Sequence, residues 1–170
     1  MYLEFLYFIF DYLFTLNKKE RWFEWGIPTI LGVSSAVWAI LNNRAIQYEF
    51  IKEIMPFLGT LLGFTLAAIA LILSSGHLEM RTRKYLTERK IRRKTITLYH
   101  LIIVSFSYLT IMEAILCLFY YISYLFQNIV LGDWVIIPNT IFIIGIFNIL
   151  FATIRMTASL FFVVNSRLNT

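Results

Sequence analysis

The sequence predicts an all-α polytopic membrane protein, a single transmembrane domain of four spanning helices. An N-terminal interfacial amphipathic helix and a basic cytoplasmic helical extension complete the expected plan. Three observations predict it. Of 170 residues, 59% are hydrophobic and 15% are charged, against about 45–50% and about 25% in ordinary soluble domains. Mean hydropathy is +0.74, and a soluble chain of this length could not hide so much apolar surface. The apolar residues fall into four long runs, and the positive charge falls almost wholly between two of them.

Met1–Asn17 reads MYLEFLYFIFDYLFTLN. Glu4 and Asp11, seven apart, share one helical face. The stretch covers roughly 24 Å as a helix, short of a roughly 30 Å hydrocarbon core. It is therefore expected along the bilayer surface, with a short fifth span as the alternative. Lys18, Lys19 and Arg21 beside Trp22 and Trp25 mark a headgroup region. Pro28 suits the first turn of a helix, where a missing N–H costs little. The first span is expected at residues 26–41, with Gly32, Ser35, Ala36 and Ala39 as a small packing face.

The second span is expected at 54–75, with Pro56 near its start. Gly59, Gly63 and Ala67 recur at four-residue intervals, a ridge that admits another helix backbone. Either the first span or a second subunit fits against it. Segment 76–97 follows. Its core, Met80–Lys94, holds eight of the chain's 15 Lys and Arg: Arg81, Arg83, Lys84, Arg89, Lys90, Arg92, Arg93 and Lys94. Taking these and Glu88 away from a net charge of +5 leaves about −2, so the basicity belongs to one loop. Glu79 to Arg83 and Glu88 to Arg92 are i,i+4 pairs in the favourable order, which predicts a helical extension.

Spans three and four are expected at 98–126 and 139–164. Four spans leave both chain ends on one side, and the positive-inside rule places them with the basic segment in the cytoplasm. Each buried charge needs a partner, because an ion in hydrocarbon costs about 2.5–3.5 kcal/mol even on the lenient scale. Counted from a connection near Gly132, Glu113 and Arg155 differ in depth by roughly 6 Å, which predicts a Glu113–Arg155 pair. Asn148 shares the Arg155 face. Ser107, Thr110, Cys117, Tyr120 and Tyr124 border Glu113, while Gly145, Asn148, Ala152 and Ser159 lie with Arg155. Two such stripes can line a pore in an oligomer or serve as interhelical hydrogen-bond glue.

The basic segment attracts anionic lipid headgroups, at about 1 kcal/mol per cation near the surface. It can also dock an acidic cytosolic partner. Only Tyr85 and Tyr99 flank it, which argues against a nucleic-acid groove of interleaved aromatics. His77 and His100 fall short of a zinc set, so no metal site is read. No P-loop, GxSxG, HExxH or dinucleotide fingerprint occurs, so neither an enzyme nor a cofactor is read. The lone Cys117 offers no intrachain disulfide, and the first residues lack the basic start of a cleavable signal peptide.

The helix GTLLGFTLAAIALILSS followed by the basic loop resembles the small four-span membrane effectors of prokaryotic anti-phage defence systems, Kiwa-like membrane subunits among them. The resemblance covers that helix, the loop and the four-span plan. It implies an inner-membrane homo-oligomer paired with a cytosolic protein. The function expected is a channel-like membrane effector controlled through its basic segment. The alternatives are a non-conducting scaffold for a cytosolic partner and, less favoured because spans one–two and three–four show no repeat, a small transporter.

Overall fold

A computed structural model describes residues 4–42, 48–74, 85–91, 94–127 and 136–165. The described chain is mostly helical. Helix α1 spans Glu4–Thr15, and α2 spans Lys18–Arg21. A π-helical turn at Trp22–Gly26 leads directly into α3, Ile27–Leu41. Helix α4 runs Tyr48–Ser74. Strands β1, Leu86–Ile91, and β2, Lys94–Thr97, form an antiparallel hairpin. Helices α5, Leu98–Gln127, and α6, Ile136–Asn165, complete the chain. Among the described residues, four segments are long and apolar enough to cross a membrane: Lys18–Leu41, Glu53–Ser74, Leu98–Ser123 and Ile136–Ala158.

The helices pack in the contact order α3–α6–α5–α4, with α1 laid against α5 and β1. Helix α3 meets α6 through Gly32, where an added Cβ would collide with Ile144. Gly145 of α6 likewise admits Leu116 of α5, whose Cδ2 would lie 2.5 Å from an added Cβ. Leu58, Leu61, Thr65, Ala68, Ile69 and Ile72 on α4 recur every three or four residues and form the stripe against α5. The opposite face of α4 is exposed and carries Gly59, Gly63 and Ala67. The alternative of α3 against that ridge is therefore overturned. The close approach made by Gly32 leads α3 to α6, and among the described residues nothing lies within 4 Å of a Cβ added at Gly59 or Gly63.

One expected boundary moves. The first span begins at Lys18, not near Gly26, because the helical run passes through Pro28 without breaking. The Pro28 ring has no N–H for the Glu24 carbonyl four residues back. The chain widens there into a π turn, in which the Ile27 N–H donates to the Trp22 carbonyl. Pro56 also falls inside its helix, and Pro138 lies in the first turn of α6.

The basic segment is the larger correction. Leu86–Ile91 and Lys94–Thr97 form an antiparallel pair of strands instead of a helix. An i,i+4 pair contributes about 0.2–0.5 kcal/mol. Burial of Ile91 and Ile96 in the core with Tyr12 and Leu16 is worth about 1.5–3 kcal/mol for each large side chain. The β-branched Thr87, Ile91, Thr95, Ile96 and Thr97 suit extended backbone. Arg81, Arg83, Lys84, Arg92 and Arg93 lie outside the described residues.

Candidate functional site: a buried charge cluster

The site forms where α1, the π turn, β1, α5 and α6 converge. Glu24 projects from the π turn and is fully buried. The Arg155 Nε of α6 donates to Glu24 Oε1 in a salt bridge. Tyr12 of α1 donates its hydroxyl hydrogen to Glu24 Oε2 at 2.7 Å. The Tyr12 oxygen accepts from Arg155 Nη2 at 2.7 Å. The guanidinium carbon lies 5.3 Å from the Tyr12 ring centroid, within cation–π range.

Behind this triangle Tyr12 stacks on Tyr108 of α5, with centroids 3.8 Å apart and planes 8° from parallel. Tyr108 donates to Asn148 Oδ1 at 2.7 Å. Asn148 Nδ2 donates to the Glu24 backbone carbonyl at 2.7 Å. That carbonyl is the one Pro28 cannot serve through the ordinary i→i−4 bond. A fully buried acceptor without a donor costs about 1–3 kcal/mol. Asn148, on another helix, supplies the donor. The π turn, the proline and the asparagine thus form one arrangement, and such turns recur at functional sites.

A second acid ties the cluster to the hairpin. Glu20 accepts from both terminal nitrogens of Arg89 on β1, Nη1 lying 3.0 Å from Oε2. The same carboxylate lies 3.9 Å from Arg155 Nη1 and accepts from the Asn17 N–H at 2.9 Å. Arg89 Nη1 also donates to the Thr15 carbonyl at 2.9 Å, and Arg21 donates to the Leu13 carbonyl at 3.1 Å. Both cations therefore sit at the C-terminal end of α1, where free carbonyls favour positive charge. Two arginines and two glutamates balance in charge. The Tyr12 phenol, buried among them, is pushed above its ordinary ionisation range chiefly by that burial. It stays a hydrogen donor.

The expected Glu113–Arg155 pair does not form. Leu116 faces α6, and Glu113, three residues earlier, is turned about 60° round α5. It meets α4 instead, where its Oε2 lies 2.8 Å from Thr65 Oγ1. Of the two polar stripes, Asn148 acts as hydrogen-bond glue, while Gly145 and Ala152 are packed within the subunit. The sequence reading missed Tyr12, Glu20, Glu24, Thr65 and Tyr108. One signal was available: Glu20 and Glu24 are an i,i+4 acidic pair at the mouth of a span that begins earlier than its proline suggests. Lys90 and Lys94 on the hairpin are exposed, while Arg89 is committed to Glu20.

Comparison of the chain with protein-family models, with curated proteins and with solved structures gives no match. The chemistry of the site therefore rests on its geometry. Its hydrogen bonds and ion pairs lock six elements together, α2 through Glu20 among them, and Glu20 stands between a strand of the hairpin and a spanning helix.

Proposed function

We propose that the protein is a homo-oligomeric, channel-like membrane effector whose basic hairpin receives the controlling signal. The observation that carries this reading is the position of Glu20, bonded to Arg89 of β1 and within 4 Å of Arg155 of α6. An acidic partner or anionic lipid that draws Arg89 away leaves Glu20 to Arg155. That change weakens the Arg155–Glu24 contact, which holds the π turn against α6. The signal thus passes from the hairpin to the spanning helices through one shared carboxylate.

The exposed Gly59–Gly63–Ala67 face suits close helix approach between subunits. The exposed aromatic face of α1 (Tyr7, Phe8, Phe10 and Phe14) suits the interfacial layer of a bilayer. An orientation with both ends in the cytoplasm follows from the charge distribution. A place in prokaryotic anti-phage defence, and hence the inner membrane, is supported by the resemblance of the α4–loop unit alone.

A liposome ion-flux assay tests the reading on wild type, Arg155→Gln and Arg89→Gln. Flux altered by both variants supports it. No flux under any condition, with a stable oligomer present, sinks the pore. The exposed Lys90 and Lys94 favour one second reading, a non-conducting anchor for an acidic cytosolic protein. Charge reversal at both lysines should then abolish pull-down while leaving the fold intact.

A further inference from the structure

The α4–α5 interface holds a titratable group that the charge cluster does not use. Glu113 lies near the middle of α5, about 22 Å of helix rise from Leu98. With α5 as a span, its carboxyl sits near the bilayer midplane. The side chain is fully buried, and its Oε1 has no hydrogen-bond partner among the described residues.

No cation among the described residues reaches it. Helix α4 presents Thr65, and α5 itself presents Cys117 one turn on. From α6 and the hairpin, Arg155 and Arg89 are committed to Glu24 and Glu20. Tyr108 and Asn148 are bonded to each other, and Tyr12 of α1 is bonded to Glu24.

The hydrogen count at Thr65 favours a protonated carboxyl. Thr65 Oγ1 lies 2.8 Å from Glu113 Oε2 and 3.0 Å from the Leu62 carbonyl oxygen. A threonine hydroxyl has one hydrogen to give and lone pairs to receive. Against an ionised Glu113, two acceptors compete for that single hydrogen, and the uncovered Oε1 shares a full buried charge. With the proton on Oε2, each contact has its own hydrogen. Oε2–H donates to Thr65 Oγ1, and Thr65 donates to the Leu62 carbonyl. Oε1 is then the carbonyl oxygen of a neutral acid, for which a missing donor costs far less than for a carboxylate.

We propose that Glu113 is a proton-binding site in the middle of the membrane, its acid hydrogen donated to Thr65 Oγ1 of α4. The ligand is a proton, and the α4–α5 contact is its binding pocket. This assignment needs the spanning helices but not the pore. Release of the proton leaves a charge against Thr65, which rotation of the Thr65 hydroxyl relieves in part and movement of α4, entry of water or entry of a cation relieves further. Proton occupancy is thereby coupled to how α4 sits on α5.

Infrared spectroscopy of the full chain in lipid tests it. At about pH 6 ordinary exposed carboxyls are ionised, so a carboxylic C=O stretching band reports a held proton. Wild type should show this band, and Glu113→Gln should lose it. Should Glu113→Gln not fold, Thr65→Val removes the acceptor and should shift the band to higher frequency. A wild type without the band, a band that survives in Glu113→Gln, or a band unmoved in Thr65→Val overturns the proposal.

Discussion

Removing the cation from the buried cluster should be strongly destabilising, and removing its acid as well should undo much of the damage. In Arg155→Met the Glu24 carboxylate keeps its place but loses its charge partner. The Arg155 side chain is 11% exposed and Glu24 is fully buried, so water cannot replace the lost ion. Breaking such a pair from one side costs about 3–5 kcal/mol. The lost cation–π contact with the buried Tyr12 adds up to about 2 kcal/mol. The contact with the part-exposed Glu20 adds little, because its screened interaction is worth about 0–1 kcal/mol. In Arg155→Met with Glu24→Gln no charge is stranded. The double variant should recover about 2–3 kcal/mol relative to the sum of the singles, within the range of coupled neighbours. Trp22 and Trp25 flank Glu24 and make intrinsic fluorescence a local reporter of unfolding in detergent or bicelles. An Arg155→Met variant less than about 1 kcal/mol below wild type, or strictly additive singles, would refute a buried and mutually dependent pair.

Three further outcomes can be checked by the same unfolding measurement. Asn148→Leu strands both the Glu24 carbonyl and the Tyr108 hydroxyl and should cost about 2–6 kcal/mol, at about 1–3 kcal/mol for each buried orphan; a loss under about 1 kcal/mol would mean that the π turn does not need this donor. Gly32→Ala should destabilise by about 1–3 kcal/mol because its Cβ drives into Ile144. Gly63→Ala, on the open face of α4, should leave the subunit unharmed or gain up to about 1 kcal/mol. Equal effects of the two would contradict the packing order. Tyr12 sets an alkaline limit. Burial raises its folded-state value above the ordinary 10.0, so its contribution is complete below that pH and is lost as pH rises toward the folded value. Tyr12→Phe should flatten this alkaline decline, and an unchanged pH profile would show that Tyr12 ionises freely.

The four spans were legible in the residues, because hydrophobic length is a local property that needs no neighbour. The small face of the first span was legible for the same reason: Gly32 and Ala39 advertise close approach whatever the partner is. Helix rise converts residue count into distance along a span, and on that count Glu113 and Arg155 were set within roughly 6 Å in depth. Depth did not choose a partner for Arg155. Arg155 bonds Glu24 and Glu113 meets Thr65, a choice that turned on lateral order and on the rotation of α5. The hairpin was hidden because its stabilisation comes from Ile91 and Ile96 meeting α1 and α5, a contact between residues distant in sequence. Favourable i,i+4 charges pointed locally the other way.

The sequence by itself determined that this protein has four helices fit for a membrane, with its positive charge gathered in one loop. Only the tertiary structure decided which helices are neighbours. From that came the pairing of Arg155 with Glu24, the rescue of a proline-orphaned carbonyl by Asn148, the meeting of Glu113 with Thr65 and the outward turn of the glycine ridge on α4. The physical reason is common to all four. Hydrophobicity is a sum over residues, whereas a partner for a charge or a hydrogen bond exists only at a few ångströms and one orientation.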